Sequence, residues 1–230
     1  MMISQELLSG IPLFSKLSPR TQRYIAEKSL RLEYPAGHIL YRQGDSPSPL
    51  YGLCSGRVKL YRQSKEKCQI LALPMQGDCI GAESMPTGAT NPYSAMTLTP
   101  VVTICLFPHV LQILLDELPD FQESFLQLIT GRLKQFITLV HDLAFRNVTS
   151  RLAMVLVLRA DTEGQPHPEG VIIDRLLSQQ EFAEMVGTAR EVVYRTFKKF
   201  ENDGLIQINR KNILIRNLPA LRIIAIQESR

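Results

Sequence analysis

The sequence predicts an α+β protein with a β-rich N-terminal half, one long amphipathic helix and a C-terminal winged helix-turn-helix. Three observations support this fold class. Residues 11–110 hold short apolar runs divided by Gly, Pro and Asp, residues 119–145 carry an apolar repeat, and residues 178–215 resemble two short helices followed by a hairpin. We expect the domain divisions at residues 1–118, 119–146 and 147–230.

The N-terminal half contains strand-like stretches about 8–15 residues apart, which is typical of an all-β sandwich or barrel. They read HILYRQGD, LYGLCSGRVKLYR, CQILALPMQGDCIG and MTLTPVVTICLFP. Ser18 and Pro19 predict the start of a helix over residues 18–31. Glycines stand at the expected turns, where a positive φ costs them little. They are Gly37, Gly44, Gly56, Gly77 and Gly81.

The long helix carries an apolar seam in which spacings of three and four residues alternate. This spacing is typical of a two-stranded coiled coil, so we expect a homodimer. The predicted interface residues are Leu126, Ile129, Leu133, Phe136, Val140 and Leu143. A second apolar stripe of Phe125, Leu128 and Ile137 is expected to pack on the β domain of its own chain. A helix packed only on its own domain is the alternative.

The stretch GTAREVVYRTFKKF, from residue 187, separates into two faces on a helical wheel. Val193, Thr196, Phe197 and Phe200 fall on one face. The other face holds Arg190, Glu191, Tyr194, Arg195 and Lys198. An isolated helix of this kind could simply expose a solvated face. The flanking sequence favours a helix that lies in a DNA groove.

The flanking residues predict the remaining parts of a winged helix-turn-helix. Ser178 is the expected N-cap of a short helix over residues 179–185, and Gly187 marks a tight turn. Thr188 is the expected N-cap of the second helix. Gly204 should end that helix, and alternating residues on either side of Asn209–Asn212 indicate a β-hairpin.

Charge and composition limit the function classes. Residues 175–230 contain 10 Lys and Arg against 6 Asp and Glu, so this segment carries the whole net charge of +4. A basic excess there suits DNA phosphate. No uncharged apolar stretch of membrane length and no signal peptide occur, so we expect a cytoplasmic protein. The scattered cysteines, Cys54, Cys68, Cys79 and Cys105, indicate free thiols.

These motifs, in this order, resemble the Crp-Fnr family of bacterial transcription regulators. PAGHILYRQGD, LYGLCSGRVKLYR and GDCIGAE resemble a cyclic-nucleotide-binding jelly roll (double-stranded β-helix), and LSQQEFAEMVGTAREVVYRTFKKFENDGLI resembles the family's helix-turn-helix. The resemblance covers nearly the full chain. It implies a homodimer through the long helix, a hinge at RNVTSRLA with a break at Asn147, and double-stranded DNA and RNA polymerase as partners.

Base contacts are expected near the start of the recognition helix. Arg binds guanine bidentately and Glu accepts a hydrogen bond from cytosine. The resemblance implies a half-site similar to TGTGA, with Arg190 and Arg195 on guanines and Glu191 opposite a G·C pair. Tyr194 departs from the Ser that is common in the oxygen-sensing branch. Phosphate contacts are expected from Lys198, Arg210 and Lys211. Thr188 and Gln179 are further expected DNA-binding residues.

The sensor domain departs from the cyclic-AMP-binding pattern of the family. Glu83 lies one place late, and Tyr93 stands where those relatives have Arg, although Ser94 is retained. Without that Arg the phosphodiester has no cationic partner, which argues against cyclic AMP. The predicted effector pocket comprises Ile80, Gly81, Glu83, Met85, Tyr93, Ser94, Thr130 and Lys134.

Other cofactors have less support. An iron–sulfur cluster needs about four thiolates, and the cysteines here are dispersed. Haem stays open, because related regulators with a PY segment bind it. The candidate haem ligands are His38, His109, His141, Met75, Met85 and Met96. A thiol switch and effector-free binding are further alternatives.

The sequence also bears on two other function classes, an enzyme and a ligand-binding or scaffold protein. The sequence has no nucleophile elbow, no P-loop and no HExxH motif, so we do not expect an enzyme. A ligand-binding or scaffold protein, whose winged helix contacts protein, is the main alternative. It predicts no salt-dependent affinity for DNA.

Overall fold

The computed structural model describes residues 5–81, 83–84 and 88–228 of the chain. The chain forms two compact units, one ending at Phe136 and the other beginning at Ile137. This boundary lies within the long helix, so the division into three segments stays a prediction.

The N-terminal unit begins with helices and continues as a series of strands. The helices are α1 (Gln5–Ser9), α2 (Pro12–Ser15) and α3 (Pro19–Lys28). The strands are β1 (Leu30–Tyr34), β2 (Ile39–Tyr41), β3 (Leu50–Ser55), β4 (Val58–Ser64), β5 (Lys67–Ala72), β6 (Cys79–Ile80), β7 (Ser94–Thr97) and β8 (Val101–Leu106). Helices α4 (Pro108–Glu117) and α5 (Pro119–Phe145) follow, and α5 continues into the second unit.

The strands form two four-stranded antiparallel sheets, in the orders β1-β8-β3-β6 and β2-β7-β4-β5. Leu53 and Cys105 from the first sheet and Leu60 and Ala95 from the second share one buried cluster. Burial of apolar surface between the sheets is the main force that holds them together. This arrangement confirms the predicted β jelly roll.

The helices of this unit bury a second cluster against the first sheet. Phe14, Ile25, Leu111 and Phe121 contribute to it, together with Ile104 on β8. The side chain of Ser18 caps α3 by accepting a hydrogen bond from Thr21 N–H at 3.2 Å, as the sequence predicts. This packing fixes one face of α5 on the sheet.

The predicted turn glycines have positive φ angles, and two of them also lie against backbone. A Cβ at Gly56 would lie 2.2 Å from Pro100 O, and one at Gly81 would lie 2.4 Å from Pro49 O. These positions therefore admit only glycine without local rearrangement. Gly81 fixes the chain directly before Glu83.

The second unit contains the predicted helix-turn-helix and hairpin within a larger fold. Its elements are α6 (Val148–Glu163), β9 (Gln165–His167), β10 (Gly170–Asp174), α7 (Gln179–Val186), α8 (Arg190–Asn202), β11 (Ile206–Ile208), β12 (Asn212–Ile215) and α9 (Leu218–Ala225). The strands form an antiparallel sheet in the order β11-β12-β10-β9. Asn147 caps α6 by accepting the Ser150 N–H bond at 2.9 Å, which confirms the predicted break.

Several boundaries differ from the sequence prediction. The helix predicted over residues 18–31 ends at Lys28, because Ser29 is extended and β1 pairs with β8 from Leu30 onward. Strands β9 and β10 and helix α9 were not predicted. Among the described residues, no helix combines the length and apolar character that a membrane crossing requires.

Candidate DNA interface and sensor site

The recognition helix α8 has the two faces that the sequence predicts. Val193, Thr196, Phe197 and Phe200 are buried, and Phe182 of α7 packs edge-on against Phe197 with ring centroids 5.1 Å apart. The predicted DNA-facing residues are all exposed: Arg190, Glu191, Tyr194, Arg195 and Lys198. The apolar face thus anchors α8, and the opposite face presents guanidinium, carboxylate and phenol groups to solvent.

The start of α8 differs from the prediction. The N-cap is Ala189 rather than Thr188, and it provides no side-chain hydrogen bond. Gly187 adopts a left-handed conformation, and Thr188 N–H donates to Ala183 O at 3.0 Å. These features keep Thr188 in the turn. Val192 N–H donates to Ala189 O at 3.1 Å. Because the Ala189 side chain cannot cap α8, the N–H groups at the start of the helix can donate to an anion such as phosphate.

The preceding helix α7 is held by a complete capping box. Ser178 accepts from Glu181 N–H at 3.2 Å, and Glu181 Oε2 accepts from Ser178 N–H at 3.0 Å. Gln179, a predicted DNA contact, is half-buried in the first turn of this helix. The capping box fixes the start of the helix-turn-helix.

Ser178→Ala should lower the stability of this helix by about 1 kcal/mol, because the first turn loses its side-chain acceptor. Amide hydrogen exchange at Glu181 measures the effect locally. Ser178→Thr retains the capping hydroxyl and is the matched control. Equal protection in both variants would show that the hydroxyl does not support α7.

The tip of the β11–β12 hairpin exposes the predicted phosphate contacts Arg210 and Lys211. Asn209 N–H donates to Asn212 O at 2.9 Å and closes the turn. Arg175 supports the tip through its backbone N–H to Lys211 O at 2.8 Å and its guanidinium to Asn209 O at 3.3 Å. The hairpin therefore exposes two cationic side chains at a turn that backbone hydrogen bonds fix.

Glu201, which the sequence analysis did not single out, connects α8 to this hairpin. Its Oε1 accepts the Ile208 N–H bond at 3.1 Å, and its Oε2 lies 2.9 Å from Lys198 Nζ. Burial alone would raise the pKa of Glu201, but the hydrogen bonds from Lys198 and Ile208 outweigh it and lower that pKa. The carboxylate is therefore ionised at neutral pH.

The sensor domain contains a buried polar cluster between the sheets and α5. Tyr93 is buried, and its hydroxyl donates to Glu83. Arg132 Nε lies 3.6 Å from the carboxylate of Glu83, and its Nη2 donates to Cys79 O at 3.1 Å. We call Glu83, Tyr93 and Arg132 the sensor cluster. Burial raises the pKa of Tyr93, so its hydroxyl stays protonated and keeps its role as donor.

The cluster corrects part of the predicted pocket. Thr130 and Lys134 are exposed, so they do not line it. Arg132, which was not predicted, is a buried residue of α5. The helix positions directed at the β domain follow Phe121 and Phe125 along the same stripe, and Arg132 continues it.

Three other predicted pocket residues, Ile80, Gly81 and Ser94, lie within three positions of Glu83 or Tyr93 in the chain. Ile80 is buried at the end of β6, and Gly81 follows it. Ser94 is also buried, and its hydroxyl accepts the Gln43 N–H bond at 2.9 Å. Met85 lies outside the described residues. The Ser94 hydroxyl already has a partner within the domain.

Aromatic rings enclose the cluster. The Tyr93 ring lies 6.1 Å from Tyr41 and 6.3 Å from Phe136, measured between centroids, and Tyr41 stacks on Tyr51 at 6.3 Å. Burial in this environment raises the pKa of Tyr41 and Tyr51 as well. The ion pair therefore lies in a largely apolar setting, where removal of one partner is costly.

Arg132→Met should lower the free energy of unfolding by about 3 kcal/mol, because the half-buried Glu83 carboxylate would lose its cationic partner. Urea unfolding measures this loss. Lys134→Met, at an exposed position of the same helix, should change stability by less than about 0.5 kcal/mol. In the double variant with Glu83→Gln we expect partial recovery. A double variant as unstable as Arg132→Met alone would contradict the charge argument.

The candidate haem ligands are dispersed. His38 stacks on Tyr34 with centroids 4.9 Å apart, and His109 stacks on Phe107 at 6.4 Å. His141 belongs to the second unit, and its Nδ1 lies 3.3 Å from Asp142 Oδ1. Within residues 5–81, 83–84 and 88–228, no group of three or more His, Cys, Asp or Glu side chains could hold a metal ion. Haem binding stays a hypothesis.

The cysteines are free thiols, as predicted. Burial raises the pKa of Cys54 and Cys79, and it raises that of Cys105 to about 11. A thiol with a raised pKa remains protonated at neutral pH and reacts slowly. These three thiols therefore give no support to a redox switch.

The exposed stripe of α5 differs from the predicted dimer seam. Leu126 is 65% exposed, Leu133 57%, Ile137 60% and Val140 65%. The prediction that Ile137 packs on the β domain of its own chain is therefore wrong. The predicted seam residues Ile129 and Phe136 pack against clusters of the N-terminal unit, and Leu143 is half-buried. The exposed apolar residues still follow spacings of seven, four and three, which suit a helix pair.

Two family models match the chain. Residues 31–117 match the cyclic nucleotide-binding domain, and residues 150–224 match the Crp-like helix-turn-helix domain. The first match covers most of the jelly roll. The second covers α6 almost entirely and the whole helix-turn-helix, the hairpin and most of α9.

Curated relatives and solved structures match over most of their lengths. The chain is 32% identical to the global nitrogen regulator of Synechococcus elongatus, over 82% of this chain and 86% of that protein. It is 26% identical to the CRP-like cAMP-activated global transcriptional regulator of Mycobacterium tuberculosis, over 91% and 94%. The structure of the c-di-GMP responsive global regulator CLP of Xanthomonas campestris aligns with a TM-score of 0.76 and 25% identity, over 86% and 99%.

Proposed function

The chain belongs to the Crp-Fnr family of transcription regulators, and we propose that it binds a near-palindromic DNA site as a homodimer. It is an effector-controlled, DNA-binding regulator. The observation that carries the proposal is the exposed face of α8, on which Arg190, Glu191 and Arg195 lie near a helix start whose N-cap, Ala189, makes no side-chain hydrogen bond.

Each protomer would read one half-site similar to TGTGA. Arg190 and Arg195 supply bidentate donors for guanine, and Glu191 accepts from cytosine N4. Tyr194 is exposed between them, and it would contact a sugar or a thymine methyl. Arg210 and Lys211 on the hairpin, and Lys198 on α8, would contact phosphates and set the register.

Fluorescence anisotropy tests this proposal with a palindromic TGTGA duplex and a scrambled duplex of equal length, each at two salt concentrations. A specific regulator should bind the palindrome at least about 10³-fold more tightly, and both affinities should fall as salt rises. Equal affinity for the two duplexes would contradict sequence-specific reading. A protein without salt-dependent affinity would instead fit the scaffold alternative.

At the β domain, we propose that signals act through the sensor cluster and not through cyclic AMP bound as in the cAMP-activated relatives. The family resemblance implies that Tyr93 stands where those relatives have Arg, and the Tyr93 hydroxyl donates to Glu83. Arg132 does provide a cation, which the sequence analysis missed, but Glu83 and Cys79 O already engage it. A ligand at this site would have to compete with these internal contacts.

A further inference from the structure

Glu201 lies at the point where the recognition helix meets the hairpin. One carboxylate oxygen is fixed by the Ile208 N–H at 3.1 Å, and the other lies 2.9 Å from Lys198 Nζ. The Glu201 side chain is 23% exposed, whereas that of Lys198 is 55% exposed. The carboxylate is therefore anchored to the hairpin backbone, and the ammonium is the more exposed partner of the pair.

We propose that Glu201 is a positioning residue that competes with DNA phosphate for the Lys198 ammonium and thereby weakens binding to all DNA sequences equally. The inference rests on the proposed DNA-binding function. Lys198 occupies the exposed face of α8, one turn beyond Tyr194. To neutralise a phosphate fully it must give up its contact with Glu201.

The geometry explains why this pair differs from an ordinary surface ion pair. Most exposed pairs contribute little, because both long side chains lose entropy on pairing. Here the backbone of β11 already orders the Glu201 carboxylate, so only Lys198 must be ordered. The acceptor for Lys198 is thus prepared in the free protein. Phosphate contacts carry no sequence information, so their weakening lowers affinity for random DNA and leaves base discrimination to Arg190 and Arg195.

Four variants test the inference by anisotropy over a range of salt concentrations: Glu201→Gln, Lys198→Gln, their double variant and Asp203→Asn. Gln at position 201 keeps an oxygen for the Ile208 N–H but loses the charge. Glu201→Gln should tighten binding about 2- to 5-fold per protomer, on palindromic and scrambled duplexes alike. The plot of log affinity against log salt should steepen by up to about 1.8, the value for one additional phosphate in each of the two protomers.

Asp203→Asn removes a nearby exposed charge and measures the general electrostatic gain. The inference predicts that the gain of Glu201→Gln beyond this control disappears in the double variant. It also predicts that Lys198→Gln alone, present in both protomers, reduces the salt slope by much less than 1.8, whereas a loss of about 1.8 would overturn it. The salt slope of Lys198→Gln tests the inference even if Glu201→Gln does not fold. Thermal unfolding shows whether Glu201→Gln is folded.

The outcomes separate the inference from the proposed function. If the wild-type protein shows no salt-dependent affinity for any duplex, both the DNA-binding proposal and the inference are contradicted. If the wild-type protein binds DNA as expected but Glu201→Gln gains no more affinity than Asp203→Asn, only the inference is contradicted.

Discussion

Leu133→Glu is expected to convert a dimeric protein into a monomer and to lower its affinity for the palindromic duplex about 10²- to 10⁴-fold. Leu133 is exposed at the centre of the apolar stripe on α5, with Leu126 and Val140 seven residues away on either side. In a two-fold helix pair each such residue contacts its own copy or a near neighbour. A carboxylate at that position would be buried without a partner.

The loss in DNA affinity follows from the coupling of two half-sites. When one recognition helix is bound, the second binds at an effective concentration set by the link between the protomers, not by the bulk solution. A monomer loses this advantage although every contact of α8 is intact. Its affinity for a duplex with one half-site should therefore change little.

Gln135→Glu is the matched control for this variant. Gln135 is exposed on another side of α5, and a carboxylate there can still accept the hydrogen bond from Arg132. Sedimentation velocity measures the oligomeric state, and anisotropy measures affinity. A Leu133→Glu protein that remains dimeric, with full affinity, would show that the protomers associate elsewhere.

The recognition helix could be predicted from sequence because one regular element carries all the information. Its period of 3.6 residues separates Val193 and Phe197 from Arg190 and Tyr194, and the capping box of Ser178 and Glu181 marks the helix before it. The prediction of Thr188 as the N-cap of α8 was wrong for a local reason. Gly187 extends the turn in a left-handed conformation, so Thr188 is part of the turn and α8 begins two residues later.

The long helix could be predicted, but its faces could not. Two apolar stripes overlap on α5, and residues spaced by three or four fit either stripe, so Ile137 and Phe136 were assigned to the wrong sides. Arg132 was missed because a charged residue in an amphipathic helix usually indicates a solvated face. Its inward position depends on Glu83 and Cys79 O, which lie about fifty residues earlier in the chain. Such partners are contributed by the tertiary fold.

Arg190→Ala should lower affinity for the palindromic duplex much more than affinity for scrambled DNA, which loses only the electrostatic contribution of one charge per protomer. The loss of one bidentate guanine contact costs about 1–3 kcal/mol, equivalent to about 5- to 150-fold in affinity. Both protomers of a homodimer carry the substitution, and contacts in separate half-sites add. The total loss should therefore reach about 2–6 kcal/mol for the full palindrome.

Arg190→Lys is the sharper form of this experiment, because it keeps the positive charge and removes the planar pair of donors. If Arg190 reads guanine, Lys should retain the salt slope and the affinity for scrambled DNA but lose most of the discrimination between the duplexes. Substitution of the matching G·C pair should then cost the wild-type protein much and the variant little. Should Lys restore full discrimination, Arg190 would act by charge alone, and base reading by α8 would have to rest on Glu191 and Arg195.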